Sequence, residues 1–205
     1  MVTSWSQGEQ TALDLYVKSY RGLSATLNRR ARAVEKGSVS FTTFVSGPYG
    51  ISERVDKYET VLLIAGGSGI AAVIPYLKKL IYGYNTSTCH TRRVHLVWQL
   101  QTLDLAMAAE ASINSLLEDD TLSDGYILTI SIYVEAGKLA KLGRHERAFV
   151  VKGSVNYSRI ILEEASGQHI ERRSNAEESR GEVLVMVRDL LDDNVTMAEL
   201  EYQPE

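Results

Sequence analysis

Cysteine occurs once, at Cys89, which excludes an internal disulfide and any cysteine-based zinc site. That usage fits a reducing compartment. Proline occurs three times and glycine fifteen, so collagen-like and proline-rich linker classes are excluded. The longest apolar stretches, Val61–Ala65 and Ile70–Leu77, are separated by Gly66, Gly67, Ser68 and Gly69. Neither approaches the roughly 20 residues of a membrane helix, and the chain itself is expected to be soluble. Met1-Val2-Thr3-Ser4-Trp5 shows no basic stretch followed by an apolar one, hence no secretory signal. No Lys/Arg-rich run with interleaved aromatics occurs, so nucleic acid is not indicated as a partner. His90, His95, His145 and His169 lack ligand spacing, and no metal site is expected.

What is present is ordinary globular composition: 205 residues, 44% hydrophobic and 23% charged, which excludes a wholly disordered chain. The net charge of −4 hides an asymmetry. Residues 1–100 carry 12 Lys+Arg against 6 Asp+Glu, and residues 101–205 carry 10 against 20. A positive first half suits an anionic ligand such as a nucleotide, and equally suits a scattered solvated surface. The acid pairs Asp119-Asp120, Glu163-Glu164, Glu177-Glu178 and Asp192-Asp193 read as solvated helix ends. Lys78-Lys79 reads as a wet helix face, and Trp98 and the tyrosines as packing.

Along the chain, Thr11–Lys18 alternates apolar and polar residues like a half-buried strand. Leu23–Lys36 reads as a helix with Arg29, Arg30 and Arg32 outward, stopped by Gly37. Val39–Val45 is a second β-like run, ended by the turn Gly47-Pro48-Tyr49-Gly50. From Thr60 the rhythm changes. Thr60–Ala65, Arg93–Leu100, Tyr126–Val134 and Glu182–Val187 read as strands. Ile70–Tyr84, Leu103–Leu117, Asn156–Ala165 and Leu190–Leu200 read as the helices between and after them. Strands alternating with helices predict β-α-β units and a parallel sheet. The boundary before this unit falls near Val55–Glu59, and 135–152 and 167–181 read as polar loops.

Three segments could carry chemistry. Val61–Ile70 (VLLIAGGSGI) runs a buried strand into a glycine loop that opens a helix. Glycines allow a tight turn and close approach of a phosphate, which the first N–H groups of the helix would face. The same pattern also serves as a plain turn. Pro75 should distort the helix that follows. A nucleophile elbow fails because Ile70 stands where glycine is needed, and a Walker loop fails because no lysine follows Gly69. At Arg21–Leu27, Ser24 is placed to cap a helix whose N–H groups could also take a diphosphate. Gly47–Gly50 in isolation is a turn.

Taken in order, these segments resemble the ferredoxin reductase superfamily, in its ferric reductase and NADPH oxidase-like branch. Thr3-Ser4-Trp5 matches the end of that family's flavin-domain segment, and Gly22–Leu27 its G-[LW]-[ST]-x-x-L. Gly47–Gly50 matches G-P-Y-G, and Gly66–Ile70 with Pro75 matches G-G-x-G-I-x-x-x-x-P. The resemblance implies an α/β fold, a ferredoxin reductase-like NAD(P)-binding domain over 56–205 with a parallel sheet flanked by helices. It is preceded over 1–55 by a β-rich remnant of an FAD-binding barrel. It implies Thr3 and Ser4 near a flavin ring, and Gly22 and Ser24 near the FAD diphosphate. Gly66, Gly67, Ser68, Gly69 and Ile70 would lie on the NADPH diphosphate, with Pro48, Tyr49 and Gly50 where the lobes meet. No catalytic side chain is implied, since hydride and electron chemistry belong to the cofactors. The activity implied is NADPH-dependent ferric-chelate reduction through FAD and haem, with a membrane haem domain as partner, on the cytosolic side of a membrane. The departures imply an incomplete enzyme: Gly153-Ser154-Val155 replaces G-R-P, and Val187 meets Arg188-Asp189 where C-G-P is expected. The alternative is a non-catalytic remnant or nucleotide-binding module that has lost its nicotinamide site.

Overall fold

A computed structural model describes residues 1–34, 38, 40–44, 53–121, 127–136, 147–167 and 169, with the strand pairs 183–184 and 195–196. Its centre is β1 (Thr60–Gly66), whose Val61, Leu62, Leu63 and Ala65 are all buried. A strand with no polar face must be covered on both sides. β1 pairs in parallel with β2 (Arg93–Leu100), β2 with β3 (Leu128–Val134), and β3 with β4 (Ala148–Lys152). On its other edge β1 pairs with β5 (Val183–Leu184), and β5 with β6 (Val195–Thr196). The order is β4-β3-β2-β1-β5-β6. The chain therefore leaves β1 in one direction and returns on its other side, the strand-order reversal of doubly wound nucleotide-binding sheets.

Alternation along the strands sorts two cores. Val61, Leu63 and Ala65, with Leu96, Trp98, Ile130 and Ile132, face α2 (Ile70–Asn85) and α3 (Asp104–Asp119). Leu62 and Val97 face α4 (Tyr157–Ala165) through Ile160 and Ile161. α2 runs through Pro75 as one helix, so the distortion expected there does not break it. α4 starts where the Asn156 side chain accepts the Arg159 N–H, a standard N-cap.

The N-terminal segment departs from expectation. Thr11–Lys18 forms no strand; an isolated antiparallel bridge joins Leu15 to Val2. Leu13, Leu15 and Val17 are about half exposed, because among the described residues no second sheet lies against their apolar side. Val39 and Val45 lie outside the described residues; residues 40–44 between them form no strand, and Phe44 is 97% exposed. The described part of 1–54 is thus not β-rich. α1 (Leu23–Arg32) ends earlier than expected, its last turn carrying Arg29, Arg30 and Arg32 where cations complement the helix dipole.

At the other end, Leu190–Leu200 is not helical where described. Val195–Thr196 is extended and paired, as β-branched residues after Asp192-Asp193-Asn194 favour. β4 was not expected: Phe149-Val150-Val151 is a short β-forming run inside a polar stretch, and β3 supplies its partner.

Candidate functional site

The glycine loop leaves β1 at the carboxyl edge of the sheet, at the strand-order reversal where doubly wound folds bind ligands. Gly66 is extended (φ −108°), Gly67 is left-handed (φ +51°), and a single 3-10 turn over Gly67–Gly69 leads into α2. Among the described residues no side chain caps either helical segment, and α2 has no acid in its first turn. Its leading N–H groups therefore keep their partial positive charge for an anion. Among the described residues, a Cβ added at Gly66, Gly67 or Gly69 would meet nothing within 4 Å, so the outer side of the loop is open to them. That space and those donors fit a diphosphate. Ser68 sits half-buried in the turn. Ile70 is fully buried, so its side chain anchors the helix and only its backbone could touch a ligand.

Behind the loop, the buried Trp98 indole N–H donates to Gly67 O at 2.8 Å. Trp98 is core, as expected, and also fixes the loop. On the α4 side of the carboxyl edge, Gln99 stands in register with Gly66. Its amide donates to Glu135 Oε1 at 2.6 Å, and the Tyr157 hydroxyl donates to Gln99 Oε1. Burial, and secondarily the Glu135 charge, raises the Tyr157 pKa above its ordinary value, so the phenol stays a donor. These three residues carry no motif in the sequence; only strand register brings them together.

Two acids read as solvated are buried. Glu164, 2% exposed, accepts both Arg93 Nε (2.6 Å) and an Arg93 terminal nitrogen (2.7 Å). His95 Nδ1 lies 2.8 Å from the same carboxylate, and His95 Nε2 lies 2.8 Å from Ser131 Oγ. Burial by itself would raise the Glu164 pKa, but the hydrogen bonds and charges of Arg93 and His95 outweigh it and hold the carboxyl at about 2. Asp120, fully buried, accepts the N–H groups of Ile127 and Leu128 and pairs with Arg147, tying the start of β3 to the start of β4. Each is a helix-end acid whose counter-charge comes from on or just before a strand, which charge counting along the chain cannot reveal. Lys78 and Lys79 are not a free wet face either. They pair with Asp14 (3.9 Å) and Asp56 (3.7 Å).

Thr3 and Ser4 lie next in the chain to Trp5, which sits toward the far end of α2 from the loop. Trp5 packs on Tyr82, with ring centroids 5.5 Å apart, three turns along α2 from Ile70. That is about 18 Å at 1.5 Å per residue. Thr3 spends its hydroxyl on Asp14 O, and Ser24 joins Tyr20 N to Arg21 O instead of capping α1. The N-cap of α1 is Gly22, at φ +61°. The Ser4 hydroxyl is buried without a partner among the described residues. Thr3 and Ser24 thus donate to backbone carbonyls, and no step is derived through a flavin. Pro48, Tyr49 and Gly50 lie outside the described residues. Among the described residues no group of acids, histidines or cysteines could hold a metal, and no helix is long and apolar enough to cross a membrane.

Comparison with known proteins agrees with this geometry. The chain is 38% identical over 82 residues to the ferric/cupric reductase transmembrane component 2 of Schizosaccharomyces pombe, covering 40% of this chain and 14% of that protein. It is 31% identical over 80 residues to the ferric reductase transmembrane component 4 of Saccharomyces cerevisiae, covering 39% and 11%. It is 36% identical over 64 residues to the probable cell surface ferric reductase kap2 of Aspergillus oryzae, covering 31% and 8%. These matches thus span about a tenth of each relative. The profile of the ferric reductase NAD binding domain matches residues 58–182, and the chain belongs to that family.

Proposed function

We propose that this chain is the pyridine-nucleotide-binding part of a ferric reductase-type oxidoreductase. The observation that carries the reading is the open, uncapped Gly66–Gly69 loop at the strand-order reversal of a parallel sheet. On this reading Gly66, Gly67, Ser68, Gly69 and the N–H of Ile70 hold the diphosphate of a dinucleotide. Trp98 keeps Gly67 in its left-handed turn. When bound, a reduced nicotinamide dinucleotide supplies the hydride; the chain's own residues bind and orient it. Residues 1–55 then correspond to the end of a flavin-binding domain and 56–205 to the nucleotide-binding domain. The onward path through flavin and haem to ferric iron, at the cytosolic side of a membrane, would use groups held outside the described residues. The resemblance implies NADPH as the donor.

Calorimetric titration of the chain with NADH and with NADPH tests the reading. Saturable binding of at least one dinucleotide, abolished in Gly67→Val, is expected. Equal binding by parent and Gly67→Val would reduce the loop to a turn.

A further inference from the structure

Gly67 meets two demands that pull against each other. Its left-handed φ of +51° suits glycine, but glycine also lets the peptide plane that follows it swing freely. A phosphate on this loop needs that plane in one orientation only. With the N–H outward the plane donates to the anion; with the carbonyl outward it repels it. Something other than the glycine has to choose.

The side chain placed to choose is Trp98. It stands in register with Ala65, two residues before Gly67, and is fully buried behind the loop. An indole N–H can only donate, and it meets Gly67 O at 2.8 Å. The carbonyl of the Gly67–Ser68 peptide is therefore turned inward. A trans peptide holds its C=O and N–H antiparallel, so the Ser68 N–H of the same plane faces away from the indole and the core. Ser68 lies in the single 3-10 turn over Gly67–Gly69, where the leading N–H groups have no partner within the helix.

We propose that Trp98 is a positioning residue for the nucleotide: its indole N–H locks the Gly67–Ser68 peptide with the Ser68 N–H outward, as a donor to the dinucleotide diphosphate. Trp98 does not touch the ligand and acts through the backbone of the loop. The inference rests on the dinucleotide reading of that loop.

Exchanging Trp98 for 3-benzothienylalanine keeps the shape of the ring and puts sulfur where the N–H stands. In calorimetric titration this variant should bind ADP-ribose about tenfold more weakly than the parent, the worth of roughly one hydrogen bond. 5-Fluorotryptophan at the same position keeps the N–H and should bind as the parent does. A bond that serves stability alone would lower the urea midpoint of the sulfur variant and leave its affinity unmoved, and that result would overturn the proposal. A second readout needs no variant. In the ¹⁵N-labelled parent the Trp98 indole N–H signal should shift along the same saturation curve as the Ser68 amide. The Trp5 indole, which packs on Tyr82, should stay still. A shifting Ser68 amide beside an unmoved Trp98 indole would overturn the proposal while leaving the loop assignment standing. If the parent binds no ADP-ribose, the loop assignment and this proposal fall together.

Discussion

Gly66 and Gly69 sit in backbone conformations open to any residue, whereas Gly67, at φ +51°, does not. This separates two effects that a single substitution would mix. Gly69→Ala adds a methyl group into open space at a helical φ of −59°, so it should stabilise the fold by about 0.5 kcal/mol through the unfolded chain. It should also weaken dinucleotide binding by about tenfold, because the methyl stands where the phosphate approaches. Gly67→Val should lose binding and about 1–2 kcal/mol of stability, since a branched residue is strained there. Urea unfolding alongside titration of each variant reads both quantities. Loss of stability in Gly69→Ala would show that the outer side of the loop is packed and not open. Trp98→Phe keeps a ring in the core but removes the N–H bonded to Gly67 O. It should cost about 1–2 kcal/mol, combining a lost hydrogen bond with a small void.

At the scale of elements, α4 is held to the sheet by apolar packing at Ile160 and Ile161 and by Glu164. The Glu164 carboxyl titrates at about 2 in the fold against an ordinary value of 4.5. A depressed folded-state pKa gives stability that is fully present above the unfolded value and is lost as pH falls through the folded one. Thermal stability should therefore fall between about pH 5 and pH 2, and less steeply in Glu164→Gln. Parallel slopes for parent and variant would mean that Glu164 is not the group lost on acidification. Glu164→Ala leaves the Arg93 guanidinium without its carboxylate and should cost about 3 kcal/mol. α1 offers the contrast: it buries no residue, so truncating Leu23 should change stability by less than about 0.5 kcal/mol.

For the whole molecule, the stretch from Thr60 to Val134 is legible in the sequence because its elements are long and strongly patterned. β2 spans Arg93–Leu100 as read, and α2 and α3 end within two residues of expectation. The N-terminal run Thr11–Lys18 forms no strand because alternation marks one only when a partner sheet lies beside it, and among the described residues Leu15 finds only Val2. β4 was missed because five residues in a polar stretch carry too little pattern. The glycine loop was legible because its chemistry is backbone chemistry written in glycines. The Gln99–Glu135–Tyr157 wall was not, because its residues lie far apart in the chain and register alone unites them. The hydroxyls expected at a flavin could be named from resemblance, but not that Thr3 and Ser24 bond to backbone instead. The purified chain should accordingly carry no stoichiometric flavin, and a full flavin absorbance band would contradict that.

The most direct measurement follows the backbone amides of ¹⁵N-labelled chain by NMR during titration with ADP-ribose. If the loop holds the diphosphate, the largest shifts fall on Gly66, Gly67, Ser68, Gly69 and Ile70, whose N–H groups open α2. Smaller shifts follow at the ends of β2 and β3. Saturating shifts centred elsewhere, with the Gly66–Ile70 amides unmoved, would contradict the assignment of this loop as the nucleotide site.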